Sequence, residues 1–311
     1  MKRGLLLFIV LLMALSVGAQ TPNKSDWPDQ LRFMAGPPGG NWFALGTALS
    51  EMWSKTVLQT TSSTGGGVSN ILNAELKKGD FGFSVTSLVG AAIAGEEDFS
   101  GRAVKNAVVM ANLYTQYTYF IVRKDFADRN GIRSVDDMIA KNIPVRFATL
   151  KPGTASEFVI KALFKKGYGV DYEGLKKKGW TFEFTSYDNG ADLIADNHLD
   201  CFAFSVGRVA SVVMNIESST PIYILPVGQK ALDALAAAYG TTTFTIQPGV
   251  YKSVTAPIRM VGDYTCIVVR KDLPESLVYE LNRTLWAAKS DLAMAVQDIS
   301  ELNPQEALPS G

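Results

Sequence analysis

The sequence predicts an α/β protein of two lobes, with parallel-type sheets and a hinge between the lobes. One observation is a regular alternation of strand-like and helix-like segments, which is typical of parallel sheets covered by helices on both faces. A second is a repeated unit of strand, glycine-containing loop and helix, which begins at 32–41 and again at 146–154. Each unit is followed by a Phe-x-Phe-Ser-Val strand, at 81–85 and at 202–206. Internal duplication explains the repeat, and chance similarity between two such segments is the alternative.

Lobe one is predicted to consist of residues 22–123 together with 263–311. Its first helix, over 41–53, follows from Phe43, Leu45 and Leu49 at nearly helical spacing. A second helix begins near Ser69 and ends before Gly79, which suits a left-handed cap. The strands predicted for this lobe are 31–35, 57–61, 81–85, 108–113, 117–123 and the returning strand 264–270, which leads into a C-terminal helix from 274.

Lobe two is predicted over residues 124–262. Ser134 and Thr154 stand at N-cap positions, and Thr154 to Glu157 has the pattern of a capping box. The remaining elements alternate until the break at Pro248 and Gly249. They are strands 145–149, 181–185, 201–205 and 222–226, with helices from 154, 191 and 208 and over 229–239.

The N-terminus resembles a secretory signal. Lys2 and Arg3 precede an apolar run that ends in Val17-Gly18-Ala19, so we expect cleavage between Ala19 and Gln20 and a signal peptide over 1–19. A bilayer span needs about 20 apolar residues, which makes an uncleaved anchor the weaker reading. The exported protein would be periplasmic.

Composition excludes several classes of function. Lys and Arg together number 30, as do Asp and Glu, and this balance argues against nucleic acid as a partner. His198 is the single histidine, so the sequence offers neither a metal-binding cluster nor a good catalytic triad, and we expect no cofactor and no enzyme activity. Cys201 and Cys266 each lie in an apolar run; one disulfide is conceivable, but we expect two buried free thiols.

Small-residue loops mark the expected binding site. Loops at 36–41, 62–69, 85–87, 151–156 and 205–207 all fall at the carboxyl ends of predicted strands, where ligands of parallel α/β sheets bind. Several of them lead into helices, whose N-termini present unpaired N–H groups and the positive end of the helix dipole. Two lobes facing each other in this way form a clamshell for a small anionic ligand, such as a carboxylate.

The candidate ligand-binding residues come from these loops and from the region after Pro248. Each hydroxyl or amide among them has an alternative use as a helix cap, and Tyr251 has an alternative use in hinge packing. Of the two neighbouring aromatic residues, we expect one to face the core and the other the pocket. The candidates are Gly40, Asn41, Trp42, Phe43, Ser63, Thr64, Ser69, Thr86, Ser87, Thr154, Ser156, Gly207 and Tyr251.

Several segments resemble a known family in the same order along the chain. They include Gly39-Gly40-Asn41-Trp42-Phe43, Ser63-Thr64-Gly65-Gly66-Gly67-Val68-Ser69-Asn70 and Gly79-Asp80-Phe81-Gly82-Phe83. Residues 249–252 and 268–275 continue the likeness. The sequence is similar to the TAXI-type solute-binding proteins of tripartite ATP-independent periplasmic (TRAP) transporters. It departs from their pattern at Pro37-Pro38, at Asn41-Trp42-Phe43 and at Ser69.

The resemblance implies a type II periplasmic-binding-protein fold. It also implies a glutamate-like or other organic-acid ligand, TRAP membrane permease subunits as partners and transport driven by an ion gradient. We expect the receptor to be a monomer. Two other functions would suit the same scaffold: an exported enzyme, and a receptor that presents its ligand to a sensor kinase.

Overall fold

A computed structural model describes residues 24–303 of the 311-residue chain. The expected signal peptide, 1–19, and its cleavage point therefore lie outside the described residues, as do 304–311. The strands are β1 (Leu31–Met34), β2 (Thr60–Ser63), β3 (Phe81–Val85), β4 (Ala107–Arg123), β5 (Arg146–Leu150), β6 (Thr181–Thr185), β7 (Cys201–Gly207), β8 (Ile222–Ile224), β9 (Thr242–Ile246) and β10 (Ile258–Arg270).

Helices separate most of these strands along the chain. They are α1 (Asn41–Thr56), α2 (Gly67–Glu75), α3 (Thr86–Ala94), α4 (Lys124–Asn130), α5 (Val135–Ala140), α6 (Ala155–Ala162), α7 (Tyr172–Lys177), α8 (Tyr187–Ala195), α9 (Ser211–Ser219), α10 (Gln229–Tyr239), α11 (Glu275–Ala287) and α12 (Lys289–Ala295). Two 3-10 helices, Glu97–Phe99 and Gln297–Glu301, follow α3 and α12, and a π-helical turn, Leu163–Gly167, extends α6.

The strands form one sheet in the order β2-β1-β3-β10-β4-β7-β5-β6, with β8 beside β4 and β9 beside β10. Two parallel groups, β2-β1-β3 and β7-β5-β6, lie at its two ends. The long strands β4 and β10 lie between the groups and pair antiparallel with each other, and β10 is antiparallel to β3 while β4 is antiparallel to β7. We call the half built on β1–β3 with α1–α3 lobe one, and the half built on β5–β7 with α6–α10 lobe two.

The two-lobed α/β fold class is confirmed, and the long strands refine it. Two strands were predicted over 108–123, but the structure has one continuous strand, β4, because this stretch contains no Gly or Pro to end it. Its first part pairs with β10 and its last part with β7 and β8, so one strand serves both lobes. At Gln116 the pairing overlaps: this residue lies opposite both Asp263 and Gly207.

Aromatic side chains form much of the core. In lobe one, Phe33 packs edge-on against Phe81 and Phe83, with ring centroids 4.9 and 4.8 Å apart. Such edge-to-face pairs add to the stabilisation from burial alone. Cys201 and Cys266 are buried free thiols, as expected, and pack as small apolar groups within β7 and β10.

Among residues 24–303, no helix has the length and apolar character needed to cross a bilayer. The same part of the chain contains no group of three or more side chains that could hold a metal ion.

Candidate functional site

A pocket lies between the two lobes, at the carboxyl ends of strands from both. Pro37 follows β1, Gly66 follows β2, Thr154 follows β5 and Tyr187 follows β6. The space measures about 20 Å³, which holds roughly one water molecule. Its lining residues are Pro37, Gly40, Asn41, Trp42, Gly66, Gln116, Leu150, Thr154, Ala155, Ser156, Tyr187, Ser205 and Val206.

Two helix N-termini from opposite lobes meet at this pocket. Asn41 and Trp42 begin α1 of lobe one, and Ala155 and Ser156 begin α6 of lobe two. The first N–H groups of a helix have no partner within that helix and carry the positive end of its dipole. The arrangement can therefore offer hydrogen-bond donors to an anion from both sides.

The small volume results from close contact between the lobes. The amide of Ser69, on α2, donates to the carbonyl of Gly153 across the cleft at 3.3 Å. A β-carbon placed on Gly66 would lie 2.6 Å from that same carbonyl oxygen, and one placed on Gly40 would lie 2.6 Å from Cε2 of Tyr187. The glycines allow this approach, and the structure represents a closed cleft.

Five of the predicted site residues line the pocket: Gly40, Asn41, Trp42, Thr154 and Ser156. Trp42 combines the two roles that were expected of separate aromatic residues, because it lines the pocket and is also buried, with 7% of its surface exposed. Phe43 is 39% exposed and lies outside the lining. The other predicted residues outside the lining of this closed cleft are Ser63, Thr64, Ser69, Thr86, Ser87, Gly207 and Tyr251.

Three of the hydroxyl groups expected to bind ligand, those of Ser69, Thr154 and Ser156, form hydrogen bonds within the protein. Ser156 Oγ donates to the carbonyl of Ser205 at 3.1 Å and accepts from its amide at 2.9 Å, which ties α6 to β7. Thr154 Oγ1 caps α6 by accepting from the amide of Glu157, and it donates to the carbonyl of Lys151. Ser69 Oγ bonds in the same two-way manner to the backbone of Gly66.

Thr86 and Ser87 contact a buried carboxylate at the start of α3. Thr86 Oγ1 donates to Oδ1 of Asp263 at 2.6 Å, while Ser87 Oγ donates to Oδ2. The backbone amides of Ser87 and Tyr264 donate to Oδ1 as well. Burial raises the pKa of Asp263, and the hydrogen bonds from Ser87 and Thr86 oppose that rise. These side chains therefore join α3 to the long strand β10.

Tyr251 joins β9 and β10 to the loop after β7. Its hydroxyl donates to the carbonyl of Arg208 at 2.9 Å and accepts from the amide of Ala210 at 3.0 Å. Burial raises its pKa to about 12, so the hydroxyl stays protonated and can donate at neutral pH. This contact orders the segment that follows Gly207.

Asn41 is held from behind by a residue near the C-terminus. Its Nδ2 donates to Oδ2 of Asp298 at 3.1 Å and to the carbonyl of Val209 at 3.4 Å. Burial and the negative charge of Glu301 raise the pKa of Asp298 to about 6. A β-carbon on Gly207 would lie 2.0 Å from Oδ2 of Asp298, so the carboxylate occupies the space that this glycine leaves.

The candidates from the sequence omit three polar lining residues, Gln116, Tyr187 and Ser205, although Ser205 belongs to the predicted loop 205–207. Gln116 is one of two side-chain amides, with Asn112, in the largely aromatic and β-branched strand β4, and a polar side chain in such a strand is a signal that the sequence offers. Tyr187 directly follows β6 and its hydroxyl donates to the carbonyl of Ser205 at 2.9 Å. Ligands of parallel α/β sheets bind at the carboxyl ends of strands, and this expectation, applied to residues 185–187, would have identified Tyr187.

The lining determines what the site can do chemically. Within the described part of the chain, the lining consists of polar, aromatic, aliphatic and small residues and includes no charged side chain. It brings together no nucleophile with a histidine base, since His198 lies at the far end of lobe two beside Arg146 and Leu199. The arrangement suits binding through hydrogen bonds rather than acid–base catalysis.

Comparison with solved structures supports the fold. MatC from Rhodopseudomonas palustris, solved with bound malate, aligns over 91% of this chain and 90% of its own, with a TM-score of 0.55 and 15% identity. The periplasmic binding protein BugD aligns over 88% of each chain, with a TM-score of 0.54 and 13% identity. A third structure, described as a periplasmic transporter, covers 90% of this chain and 88% of its own at a TM-score of 0.52 and 12% identity.

At these identities, the likeness concerns the fold: this chain has the two-lobed architecture of periplasmic binding proteins. A comparison with curated proteins gives no match. The sequence profile described as the NMT1-like family matches residues 33–311, which is nearly the whole chain. The protein is therefore a member of the NMT1-like family.

Proposed function

We propose that the protein is a periplasmic solute-binding receptor that captures a small carboxylate for a TRAP-type permease. The observation that carries the proposal is the meeting of the N-termini of α1 and α6 across the cleft. One carboxylate group between Asn41 and Ser156 could accept backbone N–H bonds from both lobes. Such a ligand would bridge the lobes and favour the closed state.

The hydrogen bonds that the pocket side chains already form support recognition of the ligand by backbone N–H groups. Ser69, Thr154 and Ser156 already use their hydroxyl groups within the protein. Among residues 24–303, the lining has neither a cationic side chain to pair with the ligand nor a carboxylate that would repel it. Helix N-termini supply partial positive charge without a cationic side chain, so a small anion suits this pocket better than a cation does.

The proposed mechanism is closure driven by ligand binding. A pocket of about 20 Å³ cannot admit a carboxylic acid, so the lobes must separate for entry and close around the ligand. We infer that they rotate about the shared strands β4 and β10, near Gln116 and Asp263. The proposed lobe boundaries, 22–123 plus 263–311 and 124–262, place one crossing between the lobes at the end of β4 and the other at Asp263 in β10.

The remaining features of the proposal rest on the sequence. The signal-like segment 1–19 supports export, with cleavage between Ala19 and Gln20, and the likeness to TAXI-type receptors supports a permease driven by an ion gradient. The ligand class extends to glutamate-like and other organic acids. MatC, which shares the fold at 15% identity, was solved with malate, a member of that class.

A thermal-shift panel tests the proposal. Because a ligand that binds the native state alone raises its stability by mass action, malate, glutamate or another small carboxylate should raise the melting temperature in a concentration-dependent way. Recovery of the acid unchanged after incubation would separate a receptor from an exported enzyme. A response to sugars or metal ions, with none to carboxylates, would contradict the proposed ligand class.

A further inference from the structure

A single buried hydroxyl lies behind two residues of the pocket wall. Thr265 belongs to the hinge strand β10 and has no exposed surface. Its Oγ1 accepts a hydrogen bond from Nε1 of Trp42 at 3.0 Å and another from Nε2 of Gln116 at 2.8 Å. A hydroxyl oxygen has two acceptor lone pairs, and these two donors use both.

We infer that Thr265 is a positioning residue for the proposed ligand site. It holds Trp42 and Gln116 in their binding orientation without touching the ligand. The inference rests on the proposed function and extends it to a residue outside the pocket lining. Thr265 therefore connects the hinge strand to the wall of the cleft.

The sequence around Thr265 indicates that its hydroxyl has a purpose beyond strand formation. It lies in the run Thr265-Cys266-Ile267-Val268-Val269, where the residues that follow it are apolar and buried. Valine has nearly the same shape and forms strands equally well. Burying a hydroxyl instead costs free energy unless it is hydrogen-bonded, so its presence is explained by the two donors that it satisfies.

Each of the two donors depends on this acceptor. Trp42 is fixed on its other side by Phe83, with ring centroids 5.6 Å apart and an angle of 33° between the planes. The ring contact restrains the plane of the indole, and the bond to Thr265 sets its rotation within that plane. Gln116 is 4% exposed, so its amide cannot replace the lost acceptor with bulk water.

The crossing of β4 gives the contact its importance for closure. Gln116 lies where the pairing of β4 with β10 overlaps its pairing with β7, whereas Trp42 belongs to α1 of lobe one. Thr265 thus links a residue of one lobe to the point about which the lobes are proposed to move. Because Trp42 and Gln116 both donate to Oγ1 of Thr265, this one oxygen sets the distance between the two side chains that a ligand would contact.

The test compares Thr265→Val with Thr265→Ser. Valine removes the acceptor and keeps the volume, whereas serine keeps the hydroxyl. The Trp42 indole N–H resonance, identified as the one missing in Trp42→Phe, should shift in Thr265→Val and stay near its wild-type position in Thr265→Ser. Affinity for malate or glutamate, used as probes, should fall about tenfold in Thr265→Val and recover in Thr265→Ser.

Thr284→Val is the matched control, because its hydroxyl is also buried but bonds to the backbone of its own helix, α11. It should leave both readouts unchanged. If Thr265→Val does not fold, Thr265→Cys replaces it, since sulfur is a weak acceptor and should produce the same changes in smaller degree.

The two possible failures are distinguishable. An unmoved indole resonance, or wild-type affinity in the folded valine or cysteine variant, would overturn the positioning role. If the wild-type protein binds neither probe, the proposed ligand class fails, and the indole comparison still decides whether Thr265 positions Trp42.

Discussion

Lys161 on α6 donates to both carboxylate oxygens of Asp98, at 3.0 Å each, and so joins the two lobes on the α3 side of the cleft. Beside this pair, Lys165 and the hydroxyl of Tyr239 both donate to Oε1 of Glu97, at 2.9 Å each. Burial opposes ionisation of Glu97, but the hydrogen bonds from Lys165 and Tyr239 lower its pKa overall. We call these five residues the clasp; its ion pairs add electrostatic attraction to the closed cleft.

Weakening the clasp should favour the open state. Asp98→Asn removes the charge that pairs with Lys161, and we expect ligand affinity to fall two- to fivefold, or about 0.5–1 kcal/mol, since both side chains are partly exposed. Added salt screens such pairs, so the difference from wild type should shrink at high ionic strength. Glu173→Gln is the control, because Glu173 pairs with Lys176 within α7. An equal loss of affinity in that control would show that the effect is not specific to the clasp.

Asp298 should make stability depend on pH between about 4 and 6. Its pKa lies near 6 in the folded protein and near 3.8 when solvated, so the folded state retains a proton that the unfolded state releases in this window. The free energy of unfolding should therefore fall as pH rises through the window, by up to about 1.4 kcal/mol per pH unit from this group.

Asp298→Asn should remove that contribution, and urea unfolding of both proteins at several pH values measures it. Glu301 and Arg208, the charged neighbours of Asp298, remain in both proteins. Asp263 and Glu157 also have raised pKa values and remain in both, so the difference between the two curves reports on Asp298. Parallel curves would show that the carboxyl group does not titrate in this range.

The two cysteines should behave as inert buried thiols. Burial raises the pKa of Cys201 and of Cys266, which suppresses the reactive thiolate form. A thiol reagent should therefore label neither residue in the native protein and both after denaturation without reductant. A mass lower by two hydrogens, with no thiol to titrate, would contradict the free state of both.

Periodicity predicted the fold better than it predicted the site. Alternating strands and helices depend on local spacing, and the small-residue loops expected at strand ends contain Gly40 and Thr154, which line the pocket. The continuity of β4 was missed because the prediction divided a run that contains no Gly or Pro to end the strand. The antiparallel direction of β10 depends on pairing between distant segments, which local spacing does not encode.

The roles of the hydroxyl groups depend on partners far away in the chain. A serine or threonine at the start of a helix can cap it or bind a ligand, and the local sequence is the same in both cases. The hydroxyl groups of Thr86 and Ser87 donate to the carboxylate of Asp263, which lies more than 170 residues later. The side-chain amide of Asn41 donates to the carboxylate of Asp298, which lies in the 3-10 helix Gln297–Glu301. No local pattern around either position names these partners.

Trp42 illustrates the same limit for an aromatic residue. The sequence places it at the start of α1 but does not reveal that its indole is buried against Phe83 and lines the pocket. Removal of so large a buried side chain costs about 3–5 kcal/mol, so Trp42→Ala would confuse unfolding with loss of binding. Trp42→Phe retains a ring beside Phe83 and is the better probe.

Closure itself can be tested at Gly66, where the backbones of the two lobes are in close contact. A β-carbon there would lie 2.6 Å from the carbonyl oxygen of Gly153 and 3.1 Å from Cα of Thr154, both of lobe two. Within lobe one, alanine meets no backbone strain, because Gly66 has an extended conformation with φ of −160°. Gly66→Ala should therefore fold normally and fail to close fully.

We expect Gly66→Ala to lower ligand affinity by about tenfold or more, since a backbone oxygen cannot move aside as a flexible side chain can. Its scattering radius should stay that of an open form when a saturating carboxylate closes the wild-type protein. The control is Gly90→Ala, in α3, where an added β-carbon meets no atom within 4 Å. That change should leave affinity unaltered and stabilise the helix by up to about 1 kcal/mol. Wild-type affinity in Gly66→Ala would mean that the ligand is held without the contact between Gly66 and Gly153, and that capture does not require the closed cleft.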